Sequence, residues 1–178
     1  MGGGELIGRG IVAPGKSAAP LGGSTPFWEM AVGAAEISVD EETGAITVEE
    51  YVSVADVGRS INPQQCEGQD EGAVMQGLGH TLFEEMVYER GQLLNGSLVA
   101  YRVPRAEDLP GHVRCQFVEN ADGAGPFGAK GAGEGSLVPV SPAVGNALAR
   151  LTGVRMRELP LTPERVWRAL RSRRAGRI

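Results

Sequence analysis

A glycine-rich segment near residue 130 does most to limit the folds open to this chain. Residues 125–135 read Gly-Pro-Phe-Gly-Ala-Lys-Gly-Ala-Gly-Glu-Gly, so five glycines surround one ammonium, Lys130, and one carboxylate, Glu134. Ordering such a backbone costs more entropy than ordering most sequences, so a fold must make use of it. Two interpretations are open: a solvated surface loop, or a loop that holds Glu134 against a bound group.

Composition favours an α+β fold over a helical bundle. The 178 residues include 27 glycines and 11 prolines, which implies many turns. A hydrophobic fraction of 42% and a charged fraction of 22% are typical of a globular protein with one sizeable core or two small ones.

The charge is unevenly distributed along the chain. The net charge is -5, yet the last 14 residues carry six arginines and no acid, so the rest of the chain has a charge of 11 minus 22, or -11. No aromatic platform or nucleic-acid module accompanies the arginines, which argues against nucleic-acid binding. We interpret residues 171–178 as a basic tail that follows a solvated helix end.

Cysteine content and hydropathy bound the cofactors and the compartment. Cys66 and Cys115 have no CxxC spacing, so this chain cannot by itself build a zinc site or an iron–sulfur cluster. No apolar run approaches the roughly 18 residues of a membrane span, and Met1–Gly4 lacks the features of a signal peptide. We expect free thiols, a cytoplasmic location and no membrane contact.

Apolar periodicity predicts the order of the secondary structure. After an irregular lead-in at 1–28, we predict a hairpin (30–40 and 45–55), a helix (66–86), a short strand and turn (87–94), a strand (113–119), a helix (138–151), a strand (154–159) and a final helix. Thr162 and Pro163 suit the N-cap and first position of that last helix.

The helix at 66–86 has two informative faces. Val74, Leu78, Leu82 and Met86 recur every four residues and predict a buried stripe. Gln69, Ala73, Gln76 and His80 form a second, more polar line. Glycines at 68, 72, 77 and 79 each cost roughly 1 kcal/mol in a helix, which indicates close approach to a ligand or simply to another element.

A strand, a glycine-rich loop and a helix in that order also raise the question of nucleotide binding. The spacing argues against it, because Lys130 precedes Gly131 rather than a serine or threonine, and the glycine order differs from the dinucleotide fingerprint. Glu134 would also repel a pyrophosphate. No nucleophile elbow supports a serine hydrolase, and no second acid can be placed beside Glu134 for a glycosidase.

Four motifs taken together are more specific than any one of them. They are Asp56-Val57-Gly58-Arg59-Ser60-Ile61-Asn62-Pro63, Glu67-Gly68-Gln69-x-Glu71-Gly72-Ala73-x-x-Gln76-Gly77-Leu78-Gly79, Gly125-Pro126-Phe127-Gly128-Ala129-Lys130-Gly131-x-Gly133-Glu134, and the segment 157–166. In this order they resemble the C-terminal part of the molybdopterin-binding large subunit of the xanthine dehydrogenase, aldehyde oxidase and aerobic carbon monoxide dehydrogenase family. The resemblance covers about residues 30 to 170 and implies a mixed sheet with packed helices.

The resemblance implies roles for particular residues. Glu134 matches the glutamate that stands beside molybdenum and acts as general base, deprotonating an oxygen ligand of the metal. Carboxylates that lose contact with water have raised pKa values, which suits a base near neutral pH. Gln69 matches a glutamine that contacts the pterin, and Gln76 is a second candidate. Cofactor contacts from backbone amides are expected at Lys130, Gly131, Ala132 and Gly133, with no direct metal ligand from this chain.

Departures from the family pattern shape the functional hypotheses. Large subunits of the family are several times longer, so the molybdenum–molybdopterin cofactor would be shared with a larger partner chain. FAD and [2Fe-2S] clusters are expected on separate subunits, and a small molecule is the expected substrate. Gly135 stands where many relatives have proline, which would loosen the loop. We expect residues 29–170 to form a molybdopterin-binding C-terminal domain of a split subunit or fragment. The alternative is a non-catalytic remnant or assembly module.

Overall fold

The computed structural model describes residues 4–5, 7–11 and 27–176, so most of the predicted lead-in lies outside the described residues. The regular elements follow one another in the order β1 (Ala31–Val39), β2 (Ile46–Asp56), α1 (Pro63–Leu82), β3 (Tyr88–Glu89), β4 (Gln92–Leu93), β5 (His112–Val118), α2 (Val140–Thr152) and α3 (Pro163–Arg174). None of the helices in these ranges is long and apolar enough to cross a membrane.

A three-stranded mixed sheet forms the centre of the fold. β1 and β2 pair antiparallel, and β5 joins β2 in parallel, which gives the order β1-β2-β5. The predicted hairpin is confirmed, and its turn is stabilised by the Asp40 carboxylate, which accepts hydrogen bonds from Thr43 Oγ1 at 2.8 Å and the Glu42 amide at 2.9 Å. The α+β prediction with a mixed sheet and packed helices is therefore confirmed.

The core lies between β2 and the three helices. Tyr51 on β2, Leu78 on α1, Val144 on α2 and Val166 on α3 are all buried in one hydrophobic cluster. α2 packs against both β1 and α1, so it closes the core on the side of the sheet where the glycine-rich segment ends.

Helix α1 begins and ends earlier than the periodicity predicts. Its start is set by Asn62, whose side-chain oxygen accepts a hydrogen bond from the Gln65 amide at 3.3 Å, with Pro63 in the first turn. The helix ends at Leu82, so Met86 falls outside it and is 61% exposed. The prediction that Met86 continues the buried stripe was wrong, because the stripe ends where the helix ends.

The predicted strand at 154–159 is absent from the structure. Residues 154–157 have no regular secondary structure, residues 158–159 lie in a bend, and none of them pairs with a strand in the described part of the chain. Val154 is buried and Met156 packs against the core, while Arg155 points outward to Asn146 at 2.6 Å. Alternation along an extended segment produces the same pattern as a strand, and only a backbone partner distinguishes the two.

The last helix forms where its capping signal predicts. The Thr162 hydroxyl accepts a hydrogen bond from the Arg165 amide at 3.3 Å, and Pro163 occupies the first turn. α3 continues to Arg174, so the first four residues of the basic segment 171–178 are helical.

Candidate functional site

The glycine-rich loop is tied to the end of β2 by a buried ammonium. Lys130 Nζ lies 2.7 Å from Asp56 Oδ2 and 2.8 Å from Asp122 Oδ1, and the Lys130 side chain is only 5% exposed. Asp56 also accepts hydrogen bonds from Asn120 Nδ2 at 3.0 Å and the Gly58 amide at 3.1 Å. The Asp56 carboxylate therefore joins the end of β2 to the glycine-rich loop and to the residues that follow β5.

The pKa values of this pair follow from opposing effects. Burial alone would raise the pKa of Asp56, but the hydrogen bonds from Lys130 and Gly58 outweigh it and hold that pKa below its ordinary value. For Lys130 the directions are reversed: burial alone would lower its pKa, but the hydrogen bonds to Asp122 and Asp56 outweigh burial and raise it. Both groups are thus charged at neutral pH.

The structure argues against the expected cofactor contact from the backbone amide of Lys130. Its backbone amide donates to the Val57 carbonyl at 2.9 Å, and its ammonium is engaged by Asp56 and Asp122. The amide is therefore not free for a ligand, and two of the three ammonium protons are engaged. In the structure Lys130 anchors the loop residues that follow it.

Several loop glycines allow the loop to fold against itself. The Gly123 amide donates to the Gly128 carbonyl and the Gly125 amide donates to the Ala129 carbonyl, both at 2.9 Å. Gly58 has a φ of +65°, and a Cβ there would overlap the Gly128 carbonyl. These positions require glycine for packing within the chain, with no ligand needed to explain them.

Glu134 stands at the end of this loop, where the chain turns into a short 3-10 helix at Gly135–Leu137. Its side chain is exposed, and Oε1 accepts a hydrogen bond from Gln76 Nε2 at 3.0 Å. Gly77 permits this contact, since a Cβ there would lie 2.6 Å from Val140 Cγ2 and would push α1 away from α2. The structure thus brings together two predicted site residues that are 58 positions apart.

The backbone between Lys130 and Glu134 presents free donors. The amides of Gly131, Ala132 and Gly133 donate to no protein acceptor within the described residues. A Cβ on Gly133 would meet nothing within 4 Å, so this part of the loop is open to an approaching group. Unpaired amides beside open space suit a polar ligand.

An open cleft of about 620 Å³ separates the first half of α1 from the loop. Gln69, Lys130 and Ala132 all line it, together with Asn62 and Cys66. Gln76 and Glu134 lie beyond its lining, because Gln76 is two helical turns, about 10 Å, further along α1 than Gln69. The predicted residues therefore form one continuous edge with two parts, the cleft and the Gln76–Glu134 pair.

Several residues near the site had no sequence signal. Glu29, just before β1, has its pKa raised by burial, and the negative charges of Asp70 and Asp56 add to this effect. Asp70 is 5% exposed, and its Oδ2 has no hydrogen-bond partner among the described residues. Burial and a hydrogen bond with Asp70 also raise the pKa of the Cys115 thiol. Glu29 falls at a predicted boundary and Asp70 within a helical pattern, so neither attracted a functional interpretation.

The described residues hold no group of three or more His, Cys, Asp or Glu side chains that could bind a metal ion. Fold and site together thus define a class: an α+β domain in which a glycine-rich loop and one helix face present amides and carboxamides to a cleft of cofactor size.

Comparison with known proteins identifies the family. A family model described as a molybdopterin cofactor-binding domain matches residues 4–110. The chain belongs to this family, and the resemblance stated from its motifs is confirmed.

Individual relatives agree with that assignment. The chain is 34% identical over 149 residues to the probable hypoxanthine oxidase XdhD of Escherichia coli K12, covering 82% of this chain and 16% of that protein. It is 36% identical over 134 residues to the putative xanthine dehydrogenase molybdenum-binding subunit XdhA of the same strain, covering 74% and 18%. The crystal structure of quinoline 2-oxidoreductase from Pseudomonas putida 86 superposes with a TM-score of 0.71 at 36% identity, covering 78% of this chain and 18% of that one. The chain thus spans under a fifth of the length of these relatives.

Proposed function

We propose that this chain is one part of a molybdenum hydroxylase, to which it supplies the general base Glu134 and one wall of the molybdopterin pocket. The observation that carries the proposal is the hydrogen bond between Gln76 and Glu134, which holds an exposed carboxylate at the rim of the loop with free amides. Membership in the molybdopterin cofactor-binding family supports the same conclusion.

The residues at this edge fit such a cofactor chemically. A pterin carries both donors and acceptors, and the Gln69 carboxamide in the cleft can satisfy both kinds. On the other wall Ala132 lines the cleft and has a free amide, and the free amides of Gly131 and Gly133 lie on either side of it in the chain. Lys130 would take part by fixing the loop, since its ammonium is already neutralised by Asp56.

Glu134 is placed to hold and move a proton. When bound, the molybdenum cofactor would supply a two-electron redox centre. The Gln76 donor occupies Oε1 of Glu134, which leaves Oε2 to accept a proton from a substrate or water on the open side. An exposed base needs a second wall to exclude water, and that wall has to come from outside this chain.

The proposed partners follow from the resemblance to the family. The chain spans 16% of XdhD and 18% of XdhA, and we propose that a larger molybdopterin-binding chain supplies most of the pocket. We expect FAD and [2Fe-2S] clusters on two further subunits and a small molecule as substrate, since the two cysteines here are too few for a cluster.

The test uses the natively purified assembly. Glu134→Gln keeps the shape of the side chain and its bond to Gln76 but removes the base, so we expect kcat to fall at least about 100-fold with unchanged molybdenum content. Glu36→Gln, on the exposed face of β1, is the matched control. Undiminished turnover in Glu134→Gln would overturn the catalytic assignment. An assembly that contains the larger chain but never molybdenum would favour the assembly module.

A further inference from the structure

We propose that Glu29 is a positioning residue for the loop that carries Glu134, and that it acts by accepting a hydrogen bond from the backbone amide of Gly135. The inference rests on the proposed function for its catalytic consequence. The contact itself can be tested without any cofactor.

The backbone at Glu29 is held in place by the sheet. The next residue, Met30, accepts a hydrogen bond from the Asp56 amide at 2.8 Å, which continues the pairing of β1 with β2 beyond the last ladder residue. Asp56 is also the carboxylate that binds Lys130. Glu29 therefore starts from a fixed point close to the base of the glycine-rich loop.

The Glu29 carboxylate lies against two glycines of this loop. A Cβ on Gly131 would lie 2.7 Å from Glu29 Oε2, and a Cβ on Gly135 would overlap Oε1. Hydrogen bonding from the Gly135 amide lowers the pKa of Glu29 and so partly offsets the effect of burial, which agrees with this close approach. These two glycines thus make room for a side chain of this chain, whereas Gly133 faces open space.

The two contact points enclose Glu134. Gly131 precedes it by three residues and Gly135 follows it directly, so the Glu29 carboxylate spans the turn on which Glu134 sits. The residue after Gly135 is held too, because Ser136 is 1% exposed and its hydroxyl accepts a hydrogen bond from Ser53 at 3.0 Å. Glu29 contacts this segment at both ends, whereas the hydrogen bond from Gln76 holds only the side chain of Glu134. We infer that the position of Glu134 depends on this carboxylate.

An acceptor oxygen, rather than the negative charge, is what this role requires. Asp70 and Asp56 both disfavour a charge on Glu29, so a neutral acceptor of the same shape would serve as well. Glutamine keeps the acceptor and alanine removes it. The pair Glu29→Gln and Glu29→Ala therefore separates the positioning role from simple removal of a charge.

The first experiment measures hydrogen exchange in the full chain without cofactor. We expect the amides of Gly135 and Leu137 to exchange about tenfold faster in Glu29→Ala, as loss of one hydrogen bond and of the turn that it holds implies. Glu29→Gln and the control Glu36→Ala should match the wild-type chain, and strand β2 should keep its protection in all three. Unchanged exchange of the Gly135 and Leu137 amides in Glu29→Ala would overturn the proposal.

A second variant covers the case in which Glu29→Ala fails to fold. Gly135→Ala places a Cβ in the space of the Glu29 carboxylate and should accelerate exchange of the same amides. The substitution should have a smaller effect in a Glu29→Gly background if the two residues are in contact. Additive effects would contradict the contact.

The catalytic consequence is measured in the assembled enzyme. Glu29→Ala should lower kcat about tenfold or more, because a displaced base is costly, while KM stays within about twofold. Glu29→Gln should restore kcat, and a Gln variant as slow as the Ala variant would refute the acceptor role. If Glu134→Gln retains full turnover, the proposed function fails, but the exchange experiment still decides whether Glu29 holds the loop.

Discussion

Replacing Lys130 by methionine should strongly destabilise the fold. The substitution keeps the length and apolar stem of the side chain but leaves the carboxylate of Asp56, whose side chain is 11% exposed, without its cation. Asp122 is 63% exposed and can be solvated instead. The destabilisation therefore comes mainly from the unpaired charge on Asp56.

The size of the loss in unfolding free energy for Lys130→Met depends on the other partners of Asp56. Removing one member of a buried ion pair costs about 3–5 kcal/mol, because the remaining charge is uncompensated. Asp56 would keep its hydrogen bonds from Asn120 and Gly58, which places the expected loss at the lower end, about 3 kcal/mol. Asp122→Asn should cost less than about 1 kcal/mol, as for a surface pair.

The loss of stability in Lys130→Met should become smaller as the pH falls from 7 to 4. In the wild-type chain the pKa of Asp56 is below its ordinary value of 3.8, so its contribution to stability is present above that pH and is lost as the pH falls further. In Lys130→Met the favourable cation is gone, so we expect the pKa of Asp56 to rise and the destabilisation to be greatest at neutral pH and to shrink toward pH 4.

Urea unfolding at pH 7 and pH 4 measures both effects. The double variant Lys130→Met/Asp56→Asn should recover part of the stability at pH 7, because the unpaired charge is removed. A loss at pH 7 no larger than that of Asp122→Asn, or a loss that grows on acidification, would refute the reasoning.

Two further predictions concern helix α1. Gly72→Ala should stabilise the chain by about 1 kcal/mol, because its Cβ would meet nothing within 4 Å. Gly77→Ala should destabilise the chain by about 1–3 kcal/mol, because its Cβ would overlap Val140. Equal effects of the two variants in urea unfolding would contradict the packing of α1 on α2. Gln76→Ala should lower kcat of the assembled enzyme about threefold to tenfold with unchanged molybdenum content. Gln64→Ala, at an exposed position of the same helix, is the control. An unaltered kcat in Gln76→Ala would show that Gln76 is not part of the site.

Much of the architecture could be predicted because its signals are local. The hairpin of β1 and β2 follows from alternation on both sides of an Asp40–Gly44 turn, and α3 follows from Thr162 and Pro163. The four motifs likewise lie within short segments, so their order alone was enough to indicate the family. The segment 154–159 shows the limit of this reasoning, since a strand exists only if a neighbour pairs with it.

The sequence by itself determined most of the elements, the family and the residue types at the candidate site: a carboxylate between glycines, two glutamines on one helix and a lysine in the loop. Tertiary structure decided what each of them contacts. It directed Lys130 to Asp56, 74 positions away, paired Gln76 with Glu134, and placed Glu29 against Gly131 and Gly135. These contacts join residues distant in sequence, and their geometry depends on how β2, α1 and the loop pack. No local pattern could therefore reveal that some loop glycines accommodate a carboxylate of this chain while Gly133 stays open to a ligand.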